Sequence, residues 1–286
     1  MNPGHAPHKQ YAQVGDLAIH YDLADYTDPW RPDPPATFLL YSGYCRTMEF
    51  WRAWVPLLGR EFRVLRLDPR GYGDTSKPPP GSTITPDLLA ADAIGLMDAL
   101  EIERVHWVGE ATGGTIGLVA ALNQPQRIST ITLCNGFARM NEQNPTLYAL
   151  GEASQEGAIL KYGLEEWCRR TLHYRMDLSR APVGLSDWMA REMARTPAYM
   201  AIAAFKFFSG VDLTPRLAGI AAPVLMVTGS GTSARLKQHV GEMRNRLPRA
   251  KVVEIDGYDY GIHLLAPDAV VAEVRKFLRE FATDTA

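Results

Sequence analysis

The stretch Val105-His106-Trp107-Val108-Gly109-Glu110-Ala111-Thr112-Gly113-Gly114 decides the architecture. Its apolar opening, Val105 to Val108, suits a short buried strand. Gly109 and Gly113 flank a sharp turn, and the small residues Gly113, Gly114, Thr115 and Gly117 open a helix that can lie close against that strand. The helix runs to about Asn123. At the tip of the turn stands Ala111, which has no nucleophilic atom. The stretch therefore names a scaffold more firmly than it names a reaction.

Working outward, the same rhythm repeats. Upstream, Pro86 to Leu100 places Leu88, Leu89, Ala91, Ala93, Ile94, Met97 and Leu100 largely on one side of a helix. Thr37 to Tyr41 reads as a strand that breaks on Ser42-Gly43-Tyr44-Cys45-Arg46, Phe50 to Leu58 has helical spacing, and Phe62 to Leu67 is another buried strand. Asp68-Pro69-Arg70-Gly71-Tyr72-Gly73-Asp74-Thr75-Ser76-Lys77-Pro78 is dense in turn formers. Tyr11 to Tyr21 alternates as an edge hairpin, with His20 expected on its surface, and Asp28 to Pro35 is a loop.

Downstream, Ile128 to Cys134 is a strand, and then the rhythm breaks. From Phe137 to about Leu217 there is no strand signal; helical segments are punctuated by Pro145, Pro182, Pro197 and Pro215. Pro223 to Thr228 resumes the sheet, followed by a helix over Leu236 to Leu247, a last strand over Lys251 to Ile255 and a final helix over Val270 to Phe281. The prediction is an α/β fold: a mostly parallel twisted sheet with helices on both faces and an inserted helical lid. Residues 1–136 and 218–286 form the expected core domain, and 137–217 the lid.

Composition narrows the partners. The 286 residues carry a formal net charge of -2 and no long run of either sign, which offers nothing to a phosphate backbone or an anionic membrane. Neither nucleic acid nor membrane is an expected partner. No segment approaches the roughly 20 apolar residues of a membrane span, and Met1 to Lys9 lacks the apolar core of a signal peptide. Cys45, Cys134 and Cys168 are unpatterned, which argues for a reducing cytoplasm rather than a disulfide framework. A close His/Cys/Asp/Glu cluster with ligand spacing and a glycine-rich phosphate loop are both missing, so the reading includes no metal and no cofactor.

Five motifs in order carry a family resemblance: Ser42-Gly43-Tyr44, Asp68-Pro69-Arg70-Gly71-Tyr72-Gly73, Gly109 to Gly113, Pro223-Val224-Leu225-Met226-Val227-Thr228-Gly229, and Gly257 to Pro267. From about Tyr11 to Phe281 the chain resembles the α/β-hydrolase superfamily, in particular its esterase, lactonase and dehalogenase-like branch. That resemblance implies a nucleophile elbow of the form Gly-x-Ser-x-Gly, which here reads Gly109-Glu110-Ala111-Thr112-Gly113. It implies an acid shortly after the Gly229 strand, where the likeliest alignment places Thr232, and a histidine seven residues before Pro267, where Tyr260 stands. The expected triad is degenerate at all three places. One deletion already removes most of the rate of a triad enzyme, so joint loss fits a site whose whole proton relay has gone better than a nucleophile replaced to trap substrate.

A polar pocket is expected to remain. The backbone N–H groups of Tyr44 and Thr112 occupy the positions that the family uses as an oxyanion hole, and Thr112 opens a helix whose N-terminus favours negative charge. Tyr260 either takes part in the chemistry through its phenol or fills the vacated space. Glu110 is a buried carboxylate serving structure or acid–base work, and His263 is a second histidine of the same loop, structural or chemical. Ser42, Cys45 and Arg46 share the oxyanion loop; Arg46 is expected at the surface, with pairing to an anionic substrate as the alternative, and Cys45 has no histidine partner. Asp259 is a solvated loop carboxylate or a general base. His106 is expected to be a satisfied packing residue and His173 a lid surface residue. Trp167, Trp188, Phe205, Phe207 and Phe208 of the lid line an apolar ligand pocket or form ordinary core.

The functional expectation is a cofactor-free, non-hydrolytic enzyme that promotes cyclisation, elimination, rearrangement or decarboxylation of a small, largely apolar molecule, as in secondary metabolism. Orientation alone can contribute roughly 7–11 kcal/mol at the favourable limit. The alternatives are an esterase or lactonase with an inactivated nucleophile position and a catalytically dead ligand-binding protein. A small-molecule substrate is the expected partner, and a homodimer is compatible with the chain.

Overall fold

A computed structural model describes residues 9–140 and 144–283. The N-terminal segment expected to lack a signal peptide falls almost wholly outside the described residues. Eight strands form one sheet: β1 (Gln10–Val14), β2 (Leu17–Ala24), β3 (Thr37–Tyr41), β4 (Arg63–Leu67), β5 (Val105–Glu110), β6 (Ile128–Cys134), β7 (Val224–Gly229) and β8 (Ala250–Ile255). Their spatial order is β1-β2-β4-β3-β5-β6-β7-β8. The hairpin β1–β2 and the β2–β4 pair are antiparallel, and every pair from β4 to β8 is parallel.

The helices between the strands are α1 (Trp54–Leu58), α2 (Pro86–Ala99) and α3 (Thr112–Asn123) before β6, then α4 (Asn144–Tyr148), α5 (Gln155–Tyr162), α6 (Leu164–Thr171), α7 (Leu185–Met193) and α8 (Ala198–Ser209) before β7. After β7 come α9 (Ala234–Arg246), α10 (Ile262–Leu265) and α11 (Pro267–Thr283). Within the expected Phe50 to Leu58 helix, only Trp54–Leu58 is α-helical, because Met48–Trp51 forms a tighter 3-10 turn. Among the described residues no helix is long and apolar enough to cross a membrane.

The sheet is covered on both faces because its central strands are apolar on both. In β3 every residue is buried; Leu39 and Tyr41 pack with α2 and α3, while Phe38 and Leu40 pack with α1 and α11. Such two-sided runs are what a parallel sheet between helical layers requires. The helical lid, α4 to α8, forms a third cluster around Trp167, Met189, Met193 and Phe205 that reaches down to Cys45 and Phe50 of the core.

The turn after β4 anchors three segments on one carboxylate. Asp68 accepts from the backbone N–H of Met48 (2.8 Å), that of Asp74 (2.8 Å) and His20 Nδ1 (2.8 Å). His20 is therefore buried, contrary to the surface position expected for it. Strand β2 is not an edge: it lies between β1 and β4, and His20 N also donates to Thr75 Oγ1 at 2.9 Å. His20, Asp68 and Asp74 lie close enough to suggest a cation site. Their oxygens are already occupied, however, since Asp74 also pairs with Lys9 (2.9 Å) and Arg195 (2.7 Å). A few residues on, Arg70 makes a bidentate pair with Asp92 of α2, both bonds 2.7 Å, tying the turn to the helical layer.

Helix α3 approaches the sheet so closely that two positions tolerate no side chain. A Cβ on Gly109 would overlap the Gly113 backbone, and one on Gly113 would overlap the carbonyls of Tyr41 and Ser42. Backbone cannot rotate away as a side chain can. Gly109→Ala should therefore destabilise the protein at or beyond the upper end of the roughly 1–3 kcal/mol typical of overpacking, read by urea unfolding. Gly241→Ala in α9, where a Cβ meets nothing within 4 Å, should instead stabilise by about 0.4–1 kcal/mol.

Candidate active site

Strand β5 ends at Glu110, and Ala111 then turns the chain sharply with φ 46 and ψ -116. A left-handed conformation is costly for any residue with a Cβ and is found where surrounding structure enforces it. Here the enforcement is visible: Ala111 N donates to Cys134 O of β6 at 3.1 Å, and Gly114 N donates back to Ala111 O at 3.0 Å. The strand-turn-helix has the geometry of a nucleophile elbow, with a methyl group at its apex.

Beside it, the segment after β3 curls on itself. Cys45 has φ 54, Arg46 N donates to Gly43 O at 3.1 Å, and Ser42 Oγ donates to Thr47 O at 2.7 Å. These bonds leave the N–H groups of Tyr44 and Thr112 without acceptors among the described residues. Thr112 also stands at the first turn of α3, where the helix dipole adds positive potential. Two such donors can hold a carbonyl oxygen or an oxyanion.

Behind the elbow lies a buried charge pair. Glu110 is bridged by Arg46, whose guanidinium also sits over the Phe50 ring at 5.4 Å. Arg46 is 2% exposed, so the surface position expected for it is wrong: the loop after β3 turns it inward to neutralise Glu110. Burial works to raise the Glu110 carboxyl, but Arg46, with a smaller contribution from His263, outweighs it and leaves the group below its ordinary range. His263 is 1% exposed, packs its ring on Trp51 at 5.1 Å and accepts at its carbonyl from Trp54 Nε1 at 2.9 Å. Among the described residues neither ring nitrogen has a partner, and burial pushes its pKa down to about 4.

A cavity of about 960 Å³ opens between the elbow and the lid. It brings together seven of the expected residues: Tyr44, Glu110, Ala111, Thr112, Trp167, Phe205 and Tyr260. Tyr260 is half-buried, with its hydroxyl 3.0 Å from Ser233 Oγ. Seven others lie outside its wall. Ser42 and Cys45 are locked into the loop, and burial raises the Cys45 thiol far out of the reactive range. Thr232 turns its hydroxyl back to Gly229 O at 2.9 Å, and His263 sits behind Glu110. Trp188 packs on Phe50 at 4.8 Å, while Phe207 and Phe208 join the main core because α8 turns that face toward the sheet.

In the lid, Phe205 and Tyr148 take the aromatic places beside Trp167. His173 is exposed and also borders the cavity, and His106 bonds Thr130 Oγ1 at 2.9 Å with its pKa lowered to about 4 by burial. Asp259 leaves one carboxyl oxygen buried and unpartnered, and burial, with Asp177 nearby, raises its pKa. Sequence reasoning missed Asn135 and Arg175. Asn135 follows β6 directly, and the pair Asn135-Gly136 after an apolar strand signals a turn at the strand end, next to the elbow in the sheet. Arg175 gives no such signal, because a lid arginine normally reads as solvated surface.

The His263 shift has a pH signature. Its pKa is about 4 in the fold against an ordinary 6.5, so between these values the unfolded chain binds more protons. The stability it supports is complete above about pH 6.5 and declines as pH falls toward 4. His263→Gln should flatten that decline by on the order of 2–4 kcal/mol, measured as the wild-type minus variant difference in urea unfolding from pH 7 to 4.

Residues 36–266 match the sequence profile of the alpha/beta hydrolase fold. The protein named "Putative carbamate hydrolase RutD" of Agrobacterium fabrum strain C58 is 25% identical over 268 residues, covering 91% of this chain and 98% of its own. The crystal structure of a hydrolase from Pseudomonas aeruginosa PA01 superposes with a TM-score of 0.81 at 26% identity, covering 96% of this chain and 99% of that one. The enol-lactonase of Burkholderia xenovorans LB400 shares the fold, with a TM-score of 0.82 at 24% identity over 94% of this chain and 100% of that one. With the elbow, the eight-stranded sheet and the inserted lid, these matches place the chain in the α/β-hydrolase family.

Proposed function

We propose that this chain carries an esterase- or lactonase-type site that has left covalent hydrolysis behind and that binds a medium-sized organic carbonyl compound. One observation carries the reading: Ala111 holds the strained apex of the elbow, facing a cavity that retains free N–H donors at Tyr44 and Thr112. The relatives bearing hydrolase names favour hydrolytic ancestry over an unrelated origin of the pocket. Without an oxygen at position 111 no acyl-enzyme can form there. The aligned acid and base positions hold Thr232, which is bonded to backbone, and Tyr260, which offers a phenol hydroxyl in place of an imidazole.

A second reading, the non-hydrolytic enzyme, is favoured by the position of Tyr260. Its hydroxyl borders the cavity and is hydrogen-bonded to Ser233, so it can donate to an oxygen of a bound ligand while Tyr44 and Thr112 hold another. Cyclisation, elimination or rearrangement would then proceed by orientation and hydrogen bonding.

Wild-type protein mixed with p-nitrophenyl butyrate should release p-nitrophenol without a burst and show no acyl adduct by intact mass. Any residual rate should stay within the roughly 10³–10⁴-fold over water that an oxyanion hole and binding alone provide. A stoichiometric burst would sink the first reading. Ala111→Ser combined with Tyr260→His should restore adduct formation, whereas Ala111→Ser alone should restore little. For the second reading, Tyr260→Phe should lower product formation from a converted substrate by about 10²-fold or more, with unchanged turnover removing Tyr260 from the mechanism.

A further inference from the structure

The charges on the cavity wall do not balance. Arg46, Arg139, Arg175 and Arg235 reach it, against Glu110 and Glu242. Both carboxylates are already matched, Glu110 by Arg46 and Glu242 by Arg139 at 3.1 Å. Arg235 is exposed at the mouth, so water can screen it. Arg175 is half-buried, and among the described residues no carboxylate lies in ion-pair contact with it; Glu110, already bridged by Arg46, acts on it only at longer range.

What holds Arg175 orients it without neutralising it. Its Nη2 donates to Thr171 Oγ1 at 2.6 Å and to Cys168 O at 3.2 Å, closing the end of α6, and its Nη1 points to Met193 Sδ at 3.7 Å, a weak acceptor without charge. The guanidinium lies over the rings of Trp167 at 5.2 Å and Tyr148 at 5.7 Å, and its buried Nε meets no acceptor among the described residues. Aromatic faces offset part of the cost of desolvating a cation, but an anion offsets far more.

A second orphan sits beside the elbow. Asn135 is 7% exposed and lines the cavity, yet among the described residues neither its amide nitrogen nor its amide oxygen has a partner. The residue before it is bonded to Ala111, and its own φ of 48 is left-handed. A buried amide with both ends open calls for a ligand or ordered water able to donate and accept.

We propose that the cavity receives an organic carboxylate whose anionic group pairs with Arg175 of the lid, while Asn135 bonds a hydroxyl or carbonyl group beside the elbow. Tyr148, Trp167 and Phe205 cover its apolar body. The cavity volume lies near the upper end of the roughly 300–1,000 Å³ of drug-sized ligand sites, so that body is larger than a carbamate ion. This assignment rests on the carbonyl-binding reading of the same pocket and adds the charge of its ligand.

Three probes test it by isothermal titration and by the indole N–H resonance of Trp167, identified through Trp167→Phe: 4-phenylbutanoate, 4-phenylbutanamide and 3-hydroxy-4-phenylbutanoate. The acid should bind wild-type protein at least tenfold more tightly than the amide. Arg175→Gln should bring the acid to the level of the amide and leave the amide unchanged, while Arg175→Lys should keep part of the preference. The added hydroxyl should tighten binding several-fold in wild type and not in Asn135→Gly, a substitution that suits the left-handed backbone. Equal binding of acid and amide, or a preference that survives Arg175→Gln, overturns the anion assignment and leaves the carbonyl-binding pocket standing. A hydroxyl effect unchanged in Asn135→Gly removes Asn135 from it. Failure of all three probes to shift the Trp167 resonance at 10 mM overturns the assignment together with the pocket reading beneath it.

Discussion

Everything at this site depends on how closely α3 meets the sheet. Gly113 lies where any side chain would strike the carbonyls ending β3, and Gly109 lies where one would strike Gly113. With the helix start held there, the chain between β5 and α3 has almost no room, and Ala111 is driven into the left-handed region. The same contact brings the start of α3, with Thr112, against the loop that follows β3 and carries Tyr44. The site's donor geometry is thus a result of backbone packing and needs no particular side chain at its centre.

Electrostatics follow from that placement. Glu110 ends β5 facing inward and would be an expensive buried charge alone. Arg46 reaches it because the loop after β3 curls tightly, and Gly43 leaves room for the carboxylate. His263 stays neutral beside this pair, because burial leaves a positive charge there unsupported by solvent. The charges are resolved behind the elbow and left open in the lid, where Arg175 faces the cavity.

Most of the fold was legible in the sequence because two-sided apolar strands and glycine-rich turns are local signals. Val105 to Val108, Ile128 to Cys134 and Pro223 to Thr228 each became a strand of the parallel core. The site was legible where it followed backbone motifs, at Tyr44, Ala111 and Thr112, and much less so where it depended on which way a helix turns. Phe207 and Phe208 face the core and Phe205 the cavity, although the three lie within four residues on α8. His20 and Arg46 looked like surface residues because their partners, Asp68 and Glu110, are distant in sequence. Asn135 was overlooked for a related reason: its neighbour in space, Ala111, belongs to another strand.

Three residues with side chains adopt positive φ where adjacent parallel strands end: Ala111 after β5 and Asn135 after β6 on the cavity wall, and Cys45 after β3 just behind it. Each such conformation costs on the order of 1–3 kcal/mol. That cost is met by the fold as a whole, and it is lowest for small or Asn-like side chains and highest for β-branched ones. A rim built in this way separates shape from reactivity. Mutation can exchange the groups presented to a ligand while the opening they surround persists, which leaves a lineage free to trade one chemistry for another, or for none, without refolding the protein that hosts it.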